Sequence, residues 1–278
     1  MLKERLQNIP LGVKAAVVYT MASVFSRGLS MITVPIFTRI MSTSEIGMVN
    51  LYNSWYSLLS VIATLSLTSG GFQAAMKDFE GERDQYQSAV LTLTSMMAIV
   101  LGCIYFLIPD IWNGIIGLPS VLIILMLVMF FFAPAQDFWL LRQRYEYKYK
   151  LAGALTMGSA LASTIFSVIV VLYLNKAGSD QVAVGRLYAT NIATMAISAV
   201  IWIKIYAKGK TIVNIKYWKY SLKLSAPLIG YAFAAQILSV SDRMMISKMV
   251  GNDAVGIYST LSVSYTHLRA HETLMNLV

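Results

Sequence analysis

Arg27 is the residue of this chain whose chemistry most needs explaining. It lies about halfway along an apolar run. A guanidinium at mid-bilayer costs ~2.5–3.5 kcal/mol on insertion scales and nearly always faces a cavity or a partner. Thr20, Ser23, Ser26, Ser30 and Thr33 share the run, and at about 100° per residue they fall with Arg27 in one sector of a helix. The next apolar run carries a similar stripe of Asn50, Asn53, Ser54, Ser57, Ser60, Thr64 and Thr68. Two polar stripes suggest a shared hydrated surface, although small polar residues also let membrane helices approach closely. Arg27 tips the balance. No acid stands at its depth in the first six runs, since Glu45 sits at a helix end and Asp137 near the inner end of the fourth. A cation without a counter-ion on a polar face suits phosphate or carboxylate, through charge-assisted and bidentate contacts. The candidate ligand-binding set is therefore Arg27 with Ser23, Ser30, Asn50, Asn53 and Ser57. A structural bond from Arg27 to backbone carbonyls is the competing role.

Other chemistries lack their residues. Cys103 is the one cysteine and lies inside an apolar run, so neither a disulfide nor a thiolate metal site is available. His267 and His271 are four apart, a spacing that metal sites use, but both lie in a tail that reads as non-native. A membrane enzyme would need a catalytic acid, histidine or activated nucleophile, usually on a large outer loop, and the outer loops here are short. No enzyme activity, organic cofactor or metal is expected. In the run from Arg142 to Lys150, cations alternate with Tyr145, Tyr147 and Tyr149. Beside a helix end, such a run belongs on anionic headgroups, so membrane lipids and not nucleic acid are the expected contact.

These residues must be positioned by membrane helices. Hydrophobic residues make up 57% of the chain and charged residues 13%, about half the charge of a soluble domain. The apolar residues come in separate runs close to the ~20 residues that cross a bilayer. The expected fold is an all-α polytopic transmembrane bundle of about eight spans. They lie near Ala15–Phe37, Ile46–Leu67, Ser88–Ile108, Val121–Phe138, Leu151–Leu174, Leu187–Ile205 and Leu222–Ser241, with a last one opening near Ala254. The cations sort by side. One side holds Lys3, Arg5, Lys14, Lys77, Arg83, Arg142, Arg144, Lys148, Lys150, Lys204, Lys208, Lys210, Lys216, Lys219 and Lys223, and the other only Arg39, Lys176, Arg186, Arg243 and Lys248. This bias places the N-terminus in the cytoplasm. The basic start, Met1 to Lys14, has no cleavage site after a short apolar core and reads as a cytoplasmic lead-in. Pro35, Pro134 and Pro227 lie within or at the edges of spans, where they suggest bends.

The segment 38–50 aligns with 247–259 at a constant offset of 209 residues, pairing Arg39 with Lys248, Ile46 with Val255, Gly47 with Gly256 and Met48 with Ile257. The same offset pairs Lys14 with Lys223 and Ser30 with Ser239. Six spans separate the copies, so both have the same orientation. That is a parallel repeat, one of the symmetries common among secondary transporters.

Family-like residues follow the first span (Arg39, Glu45, Ile46, Gly47, Asn50) and the fourth (Arg142, Glu146). The clearest are Pro227 and the stretch SDRMMISKMVGNDAVGIYS from Ser241 to Ser259. With these the chain, from about Gly12 to Ser259, resembles the polysaccharide flippases of the multidrug/oligosaccharidyl-lipid/polysaccharide exporter superfamily, in the O-antigen and capsule exporter branch. The motifs separate this branch from drug exporters better than they identify a substrate. The resemblance implies two six-helix lobes around a central, often cationic cavity in the bacterial cytoplasmic membrane. It implies rocking between inward-open and outward-open states as a lipid-diphosphate-linked oligosaccharide crosses, with polysaccharide polymerase and glycosyltransferases as partners in assembly. Arg27 matches the family's habit of placing cations in that cavity, and Arg243 and Lys248 are second-rank candidates.

The departure from the family is the second lobe, which the chain only begins. Ser262 to Thr273 resembles one reading frame of a transposase adaptor, and Arg269, His271 and Glu272 sit poorly in the middle of a span. The expected division is a cytoplasmic segment 1–13, a first six-helix lobe 14–206, a basic linker 207–219, the start of a second lobe 220–261 and a non-native tail 262–278. Native sequence would then end near Leu261. Within transport, the alternative is a drug or cation exporter of the same superfamily, which would keep membrane-embedded acids for its cargo. A membrane enzyme or a scaffold of surface polysaccharide assembly is the alternative outside transport, and a scaffold has no need of Arg27.

Overall fold

A computed structural model describes residues 10–69 and 71–262 of the chain. Every regular element among them is helical. In hydrocarbon the backbone must satisfy its own hydrogen bonds, and a helix does so within one segment. The α-helices are α1 (Leu11–Ile40), α2 (Thr43–Ala63), α3 (Gly71–Asp78), α4 (Arg83–Leu107), α5 (Pro109–Ile116), α6 (Ser120–Tyr145), α7 (Tyr149–Lys176), α8 (Val182–Gly209) and α9 (Ile215–Met249). A further helix, α10, runs from 252 to the last described residue, 262. The fold is an all-α polytopic membrane bundle.

Six helices among the described residues are long and apolar enough to cross a membrane: α1, α4 with the short turn before it, α6, α7, α8 and α9. The second expected span is not one of them. At 21 residues, α2 covers ~31 Å and could cross, but Asn50, Asn53, Ser54, Ser57 and Ser60 lower its hydropathy. It also stops earlier than the expected Leu67, because Leu65 and Ser66 adopt left-handed conformations, with φ of 50° and 48°. Thr68 therefore lies beyond the helix, outside the stripe it was expected to extend. The short helices α3 and α5 fill stretches expected to be loops. Of the expected eighth span only α10, to residue 262, is described, and the tail with His267 and His271 lies outside the described residues.

Helices also run past their apolar cores. Arg39 lies in the last turn of α1, Arg243 and Lys248 lie within α9, and Arg186 is the fifth residue of α8. With Lys176, the last residue of α7, the five cations of that side are thus helical. Between α8 and α9 only residues 210–214 are outside helices, a shorter connection than the basic stretch 207–219.

The first lobe packs as a chain of neighbours: α1 on α7, α7 on α8, α8 on α6 and α4, and α6 on α4. α2 takes its main partner from the second repeat, packing along α9. Apolar side chains form two cores. One surrounds Leu51, Tyr52, Leu122, Met126 and Phe130, and the other Phe72, Met76, Tyr86, Phe138 and Tyr217. α1 buries only Ala15, Ala22 and Phe37, so most of its surface, polar stripe included, is left uncovered.

At the end carrying the basic loops, here the basic end, Arg142 ties α4 to α6. Its Nη1 donates to Asp84 and, at 3.0 Å, to Gln87, and its Nε donates to Glu146 at 2.8 Å. At the opposite, distal end the two repeats meet. Ser42 and Glu45 start α2 with reciprocal side-chain to backbone bonds, a capping box. A β-carbon on Gly47 would lie 1.8 Å from the Asn252 carbonyl oxygen, and one on Gly256 would lie 2.1 Å from that of Thr43. Adding 209 to 43 and 47 gives 252 and 256, so each contact is the other with the repeats exchanged. That reciprocity defines a two-fold relation, as a parallel repeat requires.

Candidate functional site

Arg27 is exposed on α1. It shares a cavity of about 400 Å3 with Tyr19, Thr20, Ser23, Val24 and Arg144. Arg144 comes from the last turn of α6, and its guanidinium lies 5.3 Å from the centre of the Tyr19 ring. Neither arginine takes part in an ion pair among the described residues. The Tyr19 hydroxyl is buried without a hydrogen-bond partner among them. Two cations along one open wall can receive an anion with oxygen acceptors.

The other expected residues divide. Ser23 is in the cavity. Ser30 is exposed one turn further along, and its hydroxyl donates to the Ser26 carbonyl at 3.2 Å. Ser26 and Thr33 make the same kind of bond, to Ala22 and Ser30, so several hydroxyls of the stripe are already used by their own helix. Ser57 is half-buried, and its carbonyl accepts from Ser60. Ser54 is buried and donates to the Asn50 carbonyl at 2.9 Å, so it is packed within the protein and not presented to a cavity. Asn50 and Asn53 line a separate, smaller cavity toward the distal end, together with Arg186.

The second-rank cations are not brought to Arg27. Lys248 lines an apolar cavity of about 610 Å3 with Trp55, Met244, Met245 and residues of α5. Arg243 is half-buried, and its Nε has no partner among the described residues. The only cysteine, Cys103, is exposed.

Three residues gain importance from the structure. In sequence Arg144 is one cation of the basic run 142–150, because the fourth apolar run fades at Phe138; the helix continues to Tyr145 and carries it to the cavity. Asp137 lies two turns before Arg144 on α6, a spacing that puts them on similar faces. It is exposed, and Arg144 is the charge that acts on it. Arg186, which opens α8, is the third. Within the basic run 142–150, Arg142 is committed to its acids and Lys148 to Glu146. Outside the spans, burial pushes the Glu146 carboxyl up, but hydrogen bonds from Lys148 and Arg142 outweigh it and hold the carboxyl below its ordinary range.

No curated protein and no solved structure matches the chain. The family described as polysaccharide biosynthesis protein matches residues 13–267, nearly the whole sequence. With its membrane bundle, its internal repeat and its cationic cavity, the chain belongs to the polysaccharide biosynthesis protein family, that of the polysaccharide flippases.

Proposed function

We propose that the chain moves a lipid-linked oligosaccharide, anionic through its diphosphate, across the bacterial cytoplasmic membrane by alternating access. The observation that carries this reading is the cavity in which Arg27 and Arg144 stand together without a bound acid. The basic end is then cytoplasmic, as the distribution of lysine and arginine favours. Arg27 and Arg144 hold the diphosphate, Ser23 and Thr20 meet its oxygens or the first sugar, and the lipid tail stays in the bilayer. In cells carrying the transporter, Arg27→Ala abolishes surface glycan while the protein stays in the membrane. Normal export by a well-expressed variant overturns the assignment.

Asp137 favours a second reading. An exposed acid within a span is what an exporter of cationic drugs would keep, and the two readings differ in the sign of the ligand that binds.

A further inference from the structure

Arg186 is expensive where it stands. It lies within the first turns of α8, near the positive end of the helix dipole. Its guanidinium stacks 3.7 Å from the centre of the Phe37 ring, and its one hydrogen-bond acceptor among the described residues is the Met41 sulfur at 3.6 Å. A thioether is a weak acceptor, and no ion pair among the described residues includes Arg186. If only packing mattered, an apolar residue of similar volume would serve as well or better.

The surroundings show what the charge could meet. Arg186 lines a cavity of about 100 Å3 with Asn50, Asn53, Thr38 and Ser259. A single water needs only ~10–15 Å3 of such space, so the cavity has room for a phosphoryl group. Ser259 supplies an independent observation. Only 3% of its surface is exposed, and its hydroxyl has no hydrogen-bond partner among the described residues. Burying a hydroxyl without a partner is costly. Asn50 and Ser259 are repeat-mates, since 50 plus 209 is 259. Their common cavity therefore lies where the two repeats face each other, beside the Gly47–Gly256 crossing.

We propose that Arg186 and Ser259, with Asn53, form a phosphoryl-binding subsite between the repeats at the distal end. The planar guanidinium, one face covered by Phe37, presents its edge N–H groups to two phosphoryl oxygens, and the Ser259 hydroxyl donates to a third. Arg186 stacks on Phe37, ten residues beyond Arg27 on α1, so the two cations are ~15 Å apart along the helix axis. The subsite rests on the flippase reading in one respect: its phosphoryl group is that of the cargo lipid, received after Arg27.

The test is thermal unfolding of the full chain in phosphatidylcholine nanodiscs, titrated with geranylgeranyl diphosphate, inorganic phosphate or phosphatidylglycerol. Geranylgeranyl diphosphate and phosphate raise the midpoint of the unaltered chain. Arg186→Met is at least as stable without ligand, because it removes an uncompensated charge, and it weakens both ligands ~10-fold, the loss of one charge-assisted contact. Ser259→Ala and Asn53→Ala weaken them less and serve if Arg186→Met fails to fold. Unchanged phosphate affinity in Asn53→Ala, Ser259→Ala and any folded Arg186→Met overturns the subsite. Weakening of phosphatidylglycerol alone shows a bulk-lipid site and overturns the cargo assignment. Arg27→Ala separates the two proposals. If it leaves diphosphate binding intact while Arg186→Met reduces it, the subsite stands and the α1 cavity falls. The reverse result removes the subsite only.

Discussion

Gly47 and Asn252 touch backbone to backbone, 205 positions apart in sequence, at a place where any β-carbon on residue 47 would overlap the Asn252 carbonyl. The hydroxyl of Thr43 donates to Asp253 beside them at 2.5 Å. In a chain with Cys103→Ser, the pair Thr43→Cys and Asp253→Cys forms a disulfide under mild oxidation, because the side chains already meet. Adding Gly47→Val separates the helices and reduces the cross-link, as gel mobility would show. Equal cross-linking with valine present would mean that the close approach is not needed.

Arg142 joins two helices through three hydrogen bonds to Asp84, Gln87 and Glu146. Arg142→Ala leaves Glu146 half-buried with only Lys148, and should lower stability by about 2 kcal/mol, in the range for hydrogen bonds to charged groups. Thermal unfolding in detergent measures this. Arg142→Lys restores part of the loss, since an ammonium cannot make the same forked contact.

The Glu146 carboxyl has its folded-state pKa lowered, so its contribution is full above the ordinary carboxylate pKa and is lost as pH falls through the depressed one. Stability should fall on the acid side of about pH 4.3. Glu146→Gln should flatten that acid limb and leave the neutral to alkaline region parallel to the unaltered chain. An unchanged acid limb would show that other carboxylates set it.

Tyr86 and Ser221 share a buried hydrogen bond of 2.6 Å between α4 and α9. A double-mutant cycle with Tyr86→Phe and Ser221→Ala should give a coupling of about 1 kcal/mol. Additive losses would mean that the two hydroxyls act independently.

The membrane bundle was legible because long apolar runs survive in any folding context, and the repeat because Gly47 and Gly256 kept their spacing from similar neighbours. Helix ends were not. Arg186 reads as a loop cation because hydropathy falls at Gly185 and Arg186, although α8 already begins at Val182. Arg144 was hidden in the same way by the polar end of α6. The helices α3 and α5 are eight residues each, too short for an apolar period to stand out. Arg27 and Ser23 could be named together from spacing alone. Arg186 and Ser259 could not, since only the folded chain brings residues from both repeats to one cavity.

The measurement closest to the central claim is ligand charge. Geranylgeranyl diphosphate and tetraphenylphosphonium would be titrated separately into the purified chain in nanodiscs, with and without Arg27→Ala. The account predicts that the diphosphate binds, that Arg27→Ala weakens it ~10-fold and that Arg27→Lys restores part of the affinity. Binding of the phosphonium, abolished by Asp137→Asn and indifferent to Arg27→Ala, would contradict it and make the chain a cation exporter.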